Sequence, residues 1–187
     1  MRRFYRIGSA AALVAALGGC SFQTALDKMV KPERQKELLA IGERFCTDPV
    51  SMTSQLHPEI ASSAADAAPM LPRECPDGKA TWQIANYSWK TNATPGLKER
   101  QEEVVVVGTG QGKWTTVSLR FYAQNDAPLQ ITEWNVVGSA TRPAALLLID
   151  QYETGVKALR IIVPVVLLAI GGLIFWLVRR RRAKRAA

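Results

Sequence analysis

The stretch EEVVVVGTGQGKWTTVSLRFYA, residues 102–123, decides the fold. Val104–Val107 is an unbroken β-branched run, and Val117, Leu119 and Phe121 recur two apart, so both flanks read as strands. The glycines between them invite comparison with a phosphate-binding loop. That loop requires GxxxxGK[ST] opening a helix, so that backbone amides face the phosphate. Here Lys113 is followed by Trp114, Thr115, Thr116 and Val117, which continue as a strand. The dinucleotide spacing GxGxxG fails as well, because its third glycine falls at Lys113. The segment is therefore a β-hairpin. Strand alternation sends Glu102 and Glu103 to opposite faces, so they do not form an acid–base pair.

Two further segments extend the sheet. ATWQIANYSW (80–89) precedes the hairpin and LQITEWNVVG (129–138) follows it, with turn residues in TNATPG, GTGQG and QNDAP. Upstream, the pattern is helical. Pro32 suits the first position of a helix, Glu33 favours its positive end, and Leu38, Ile41 and Phe45 lie on one stripe. Asp48-Pro49 predicts a short helix toward Leu56. His57-Pro58-Glu59 predicts another, Ala-rich, running to about Met70, and PMLPRECPDG (69–78) is expected to stop helix formation. The fold class is thus α+β: N-terminal helices packed on a curved, mainly antiparallel four-stranded sheet, plus one C-terminal transmembrane helix.

The two ends carry topogenic signals. Arg2, Arg3 and Arg6 precede a short apolar run to Leu17, as in a secretory signal. LGGC (17–20) resembles a bacterial lipobox, which implies cleavage after residue 19 and acylation of Cys20. The plainer reading is an ordinary signal that happens to contain a cysteine. At the other end, residues 161–178 are 18 uncharged residues, about 27 Å of helix and enough for a thin bilayer. Arg179, Arg180, Arg181, Arg182, Lys184 and Arg185 follow, and the positive-inside rule places them in the cytoplasm. The resulting division is 1–19 signal, 20–31 tether, 32–138 exported domain, 139–160 linker and juxtamembrane helix, 161–178 span, and 179–187 basic tail. The expected location is the bacterial cytoplasmic membrane, with the domain on the periplasmic or extracellular side.

This division explains the charge. The formal net charge is +8, yet residues 20–156 hold 13 Lys and Arg against all 16 Asp and Glu, a balance of −3. The basic residues therefore orient the span, and no nucleic-acid partner is expected.

The order of elements, with Trp114, Val117, Leu119, Phe121, Gln130, Ile131, Trp134 and Val136, resembles the nuclear transport factor 2-like superfamily of cone-shaped α+β domains. The resemblance spans about residues 25–138. It implies a curved sheet wrapped around helices, often with a cavity, in domains that serve as enzymes, ligand binders or assembly modules.

Candidate chemistry is sparse. Cys46 and Cys75 most simply form a disulfide in an oxidising compartment, the alternatives being two buried thiols or a reactive site. His57, the one histidine, is placed to start a helix rather than to activate a nucleophile. Neither a metal site nor a cofactor is expected. Tyr87, Tyr122, Glu133 and Asp66 have the residue types for isomerase-like chemistry, without a spacing that groups them. Trp82, Trp89, Trp114 and Trp134 are candidates for a pocket lining or a contact patch, or else core. Leu146, Ile149, Tyr152, Val156 and Leu159 make one helical face, open to the domain, the membrane interface or a partner. The leading expectation is a membrane-anchored, non-enzymatic binding or assembly module. Its expected partners are membrane lipid, through acyl anchor and span, and an envelope protein met by the domain or the juxtamembrane helix. The alternative is a small-ligand-binding or isomerase-like pocket protein.

Overall fold

The computed structural model describes residues 21–186, with side chains described through residue 177. The signal segment and Cys20 lie outside the described residues, as do the side chains of Arg179, Arg180, Arg181, Arg182, Lys184 and Arg185. The chain divides into two compact units. One is Leu26–Ile149, and the other, among the described residues, is 21–25 with 150–186.

The elements are helices α1 (Phe22–Met29) and α2 (Pro32–Thr47), 3-10 turns at Pro49–Gln55 and Pro58–Ile60, and the short helices α3 (Ser63–Ala67) and α4 (Leu71–Glu74). Strands β1 (Thr81–Thr94), β2 (Leu97–Gly110), β3 (Lys113–Gln124) and β4 (Gln130–Ser139) follow, and then helix α5 (Ala144–Ala186). The strands form one antiparallel sheet in the order β1-β2-β3-β4. The expected α+β class is what the structure shows.

The hairpins extend further than the apolar pattern. β1 and β2 stay paired out to Thr94 and Leu97, so only Pro95 and Gly96 turn the chain. Pro95 brings a fixed φ and Gly96 sits at φ +81°. The reading of TNATPG as a turn was too wide because residues 90–94 are exposed, and a strand solvated on both faces shows no alternation. The glycine stretch at 108–112 is a hairpin, as expected. Gln111 and Gly112 have φ of +48° and +78°, as primed two-residue turns require.

The inner sheet face is built by Ile84, Val104, Val106, Val117, Leu119, Phe121 and Ile131, all buried. It meets the α2 stripe of Leu38, Ile41 and Phe45, also buried. Each such side chain contributes about 1.5–3 kcal/mol through removal from water. The Phe45 ring stacks on Trp134 with centroids 4.8 Å apart.

Between α2 and the sheet the expected helices are shorter. Asp48 starts the first 3-10 turn, its side chain accepting from Ser51 N at 3.3 Å. The predicted Ala-rich helix to Met70 breaks into the turn Pro58–Ile60 and the five-residue α3. Ala-rich segments this short do not propagate without an apolar face, and Pro69 ends this one. PMLPRECPDG does not exclude helix either. Pro72 occupies the first turn of α4, where its missing N–H matters little.

α4 matters because it ends in Glu74 and Cys75. Cys75 closes a disulfide to Cys46 at the end of α2. Glu74 accepts from Gly138 N at 2.6 Å, and its carbonyl accepts from Thr115 Oγ1. A Cβ on Gly138 would stand 2.7 Å from that carbonyl oxygen and 2.9 Å from the Glu74 Cα. Gly138→Ala is therefore expected to destabilise by about 1–3 kcal/mol, since backbone rather than a flexible side chain must yield. A chemical unfolding midpoint unchanged from wild type would refute this.

The start of α5 covers one end of the opposite sheet face. Leu146 is buried with Ala85 and Val107, and Trp114, Ala145 and Ile149 pack around them. The expected helical face from Leu146 to Leu159 thus splits, with Leu146 in the core and Tyr152 and Leu159 exposed. From Ala144 to Leu177 the helix is long and apolar enough to cross a membrane.

Candidate functional site

The feature with chemical potential is a glutamate inside the domain. In period two, Glu102 shares the inner face with Val104 and Val106, and its side chain is fully buried. Its partner comes from α2: Arg34 lies four residues before Leu38, on the same stripe that faces the sheet. Arg34 donates from Nη2 and Nε to Glu102 Oε2 at 2.7 and 3.3 Å, and from Nη1 to Glu37 Oε2 at 2.8 Å. Its guanidinium also lies over the Phe121 ring, 4.7 Å from the centroid. Arg100, on the same strand as Glu102, donates from Nη2 to the other oxygen, Oε1.

A buried carboxylate is tolerated only when paired and hydrogen-bonded, and both oxygens here meet guanidinium groups. Burial pulls the Arg34 pKa down, but its bonds to Glu37 and Glu102 outweigh this and raise it overall. Tyr87 completes the cluster. Burial first, then the Glu102 charge beside it, pushes its phenol above the usual value near 10.0. A raised tyrosine contributes stability that is full below pH 10 and declines as pH rises through the folded value. Tyr87→Phe should flatten the loss of stability above about pH 10 and leave the neutral range nearly unchanged. Unfolding midpoints measured from pH 8 to 11 that run parallel in the two proteins would contradict this.

The cluster forms one wall of a surface cleft of about 440 Å³. Met29, Val30 and Leu129 supply apolar lining, and Lys31, Arg34, Glu37, Tyr87 and Arg100 the polar lining. The α1–α2 connection is held by Gln35, whose Nε2 donates to Val30 O at 2.9 Å and Asp27 Oδ1 at 3.2 Å. A second, smaller groove of about 140 Å³ runs over the outer sheet face beside Glu103, Ser118, Arg120 and Glu133. There Arg120 pairs with Glu103 and Glu133.

No protein-family model matches this chain. No curated protein and no solved structure matches it either.

Of the four residues with the types for isomerase-like chemistry, only Tyr87 reaches the cluster. The Tyr122 phenol donates to Glu99 at 2.9 Å, a bond that raises its pKa. Glu133 belongs to the outer face, and Asp66 is exposed on α3. His57 starts a 3-10 turn, as expected, its Nδ1 accepting from Glu59 N at 3.4 Å. The tryptophans do not line one pocket. Trp134 is stacked on Phe45, with Nε1 donating to Ser63 Oγ at 2.8 Å. Trp82 packs its ring on Gly108, Trp114 lies near Arg142 with its ring centroid 6.0 Å from the guanidinium, and Trp89 is exposed. Among the described residues no group of three or more His, Cys, Asp and Glu is placed to hold a metal.

The Glu102 cluster is the site that sequence reading missed, although a signal was present. Glu102 continues the alternation of Val104 and Val106, and Arg34 continues that of Leu38, Ile41 and Phe45. Opposite charges on two apolar faces that must meet predict a buried pair.

Proposed function

We propose that this chain is a membrane-anchored envelope protein whose α+β domain is a non-enzymatic binding or assembly module. Cleavage before Cys20 and its acylation would give one tether, and the apolar part of α5 a second. The domain then lies on the periplasmic or extracellular side of the bacterial cytoplasmic membrane, and the basic tail in the cytoplasm. The Cys46–Cys75 disulfide supports an oxidising compartment, and the long apolar helix supports insertion. The layering of helices on one face of a four-stranded sheet is compatible with a nuclear transport factor 2-like domain.

The non-enzymatic part rests on one observation, the commitment of Glu102. A general acid or base must offer its oxygen to a substrate proton, whereas both Glu102 oxygens accept from Arg34 and Arg100. What the domain presents outward is a cleft of mixed character, suited to holding a partner rather than transforming it. Crosslinking the full chain in native membranes, followed by purification and mass spectrometry, tests this reading. Recurrent recovery of one defined protein, lipid or wall fragment would support it. Recovery of none in repeated experiments would overturn it. Metabolic labelling with an alkyne fatty acid tests the tether: label is expected on the wild type and absent from Cys20→Ser, and an unlabelled wild type would remove the acyl anchor.

A further inference from the structure

The cleft between the α1–α2 connection and the sheet has a division of labour that a generic contact surface lacks. Three cations, Lys31, Arg34 and Arg100, face two carboxylates, Glu37 and the buried Glu102, so the cluster retains one positive charge. Arg34 is occupied, with bonds to both carboxylates. Arg100 is not: one of its nitrogens meets Glu102, while its side chain stays 52% exposed. A guanidinium has five N–H donors, so a fixed Arg100 with one committed nitrogen keeps capacity for an incoming oxyanion. Lys31 adds a second cation at the start of the 16-residue α2, where the helix dipole favours negative charge. Apart from Tyr87, the remaining lining is apolar: Met29, 53% exposed, with Val30 and Leu129 beside it.

We infer that this cleft binds a small amphiphilic oxyanion, a carboxylate or phosphate head on an alkyl chain, with the head at Arg100 and Lys31 and the chain on Met29, Val30 and Leu129. This assignment rests on the reading of the domain as a binding module and names the ligand class. Glu102 serves it as a positioning residue, fixing Arg100 before the ligand arrives and so lowering the ordering cost of binding. The volume of about 440 Å³ falls in the range of about 300–1,000 Å³ used by small-molecule sites. Free fatty acids, alkyl phosphates and anionic lipids share this chemistry.

The full chain in phosphatidylcholine nanodiscs, titrated calorimetrically against empty nanodiscs, provides the test. Decanoate and octyl phosphate should each saturate one site. Decanol, which lacks the charge, and inorganic phosphate, which lacks the chain, should bind at least tenfold more weakly. Arg100→Gln should weaken both amphiphiles at least tenfold while the near-UV circular dichroism stays that of the wild type. Lys31→Gln, at an exposed position, should weaken them several-fold and serves if Arg100→Gln disturbs folding. Replacing part of the lipid with phosphatidylglycerol separates the sources. Competition with decanoate identifies bilayer headgroups, lack of competition identifies a free amphiphile, and both results sustain the site. Absence of saturable binding, or equal binding by wild type and both variants, would overturn the inference. If membrane crosslinking still recovers a defined partner protein in that event, the module reading stands without it.

Discussion

Replacing Arg34 with Leu is expected to destabilise the domain by about 3–5 kcal/mol, because it leaves the buried Glu102 with one guanidinium partner instead of two. The value should fall toward the lower end, since Arg100 keeps its bond to Oε1. Against a total stability of about 5–15 kcal/mol for an ordinary domain, this is a severe loss. The double variant Arg34→Leu with Glu102→Leu should recover most of it. Both charges are then gone, and Phe121 and Val104 offer an apolar surface for the new side chains. Hydrogen exchange of the Val104 and Val106 amides in the full chain reads the effect directly. If the single variant protects those amides as well as the wild type does, the pair is not a structural constraint. If the double variant is as unstable as the single one, the cost comes from lost shape rather than from stranded charge.

Removing the disulfide by Cys46→Ala with Cys75→Ala is expected to cost about 3–4 kcal/mol. The bridge spans a sequence separation of 29 residues, and closing such a loop restricts the unfolded chain by about that amount in the chain-entropy model. The loss should be graded along the structure. The closed segment contains α3, α4 and both 3-10 turns, which hold few buried side chains of their own. Exchange protection around Met52, Ala64 and Leu71 should fall before that of β2 and β3. Uniform loss of protection across helices and sheet would show instead that the bridge stabilises the whole domain as one cooperative unit. Reduction of the wild type with dithiothreitol should reproduce the double variant.

The sheet was legible in the sequence because its central strands have a buried face and their turns carry glycine. The positive φ of Gln111 and Gly112 is what a hairpin reading of GTGQG demands. The strand ends were not legible: Lys98, Glu99 and Gln101 continue β2 beyond the apolar core, where pairing with β1 and β3 holds polar side chains that no apolar alternation marks in the sequence. The Ala-rich segment failed for the reverse reason. Its residues favour helix, but tertiary packing uses only Ala64 of it as buried core, and the helix ends after five residues. For the candidate site, the alternation placing Glu102 inward was visible. Which cation would meet it depended on how α2 lies across the sheet, a fact set by Gly42. That glycine lets the helix approach Val106, whose Cγ1 would lie 2.9 Å from any Cβ there.

The meander order carries a consequence for how this chain is made. Each strand pairs with its neighbour in sequence, across connections of two, two and five residues. Loop-closure entropy is therefore small at every step, and the sheet is able to assemble by zipping outward from its turns. The distant closures include Arg34 to Glu102, α2 onto the inner face, Cys46 to Cys75, Glu74 to Gly138 and Ser63 to Trp134. A chain synthesised from its N-terminus has to wait for β2 before the arginine finds its glutamate. The α2 stripe waits longer still, because Phe45 stacks on Trp134 of β4, so the nascent domain exposes apolar surface until the meander is complete.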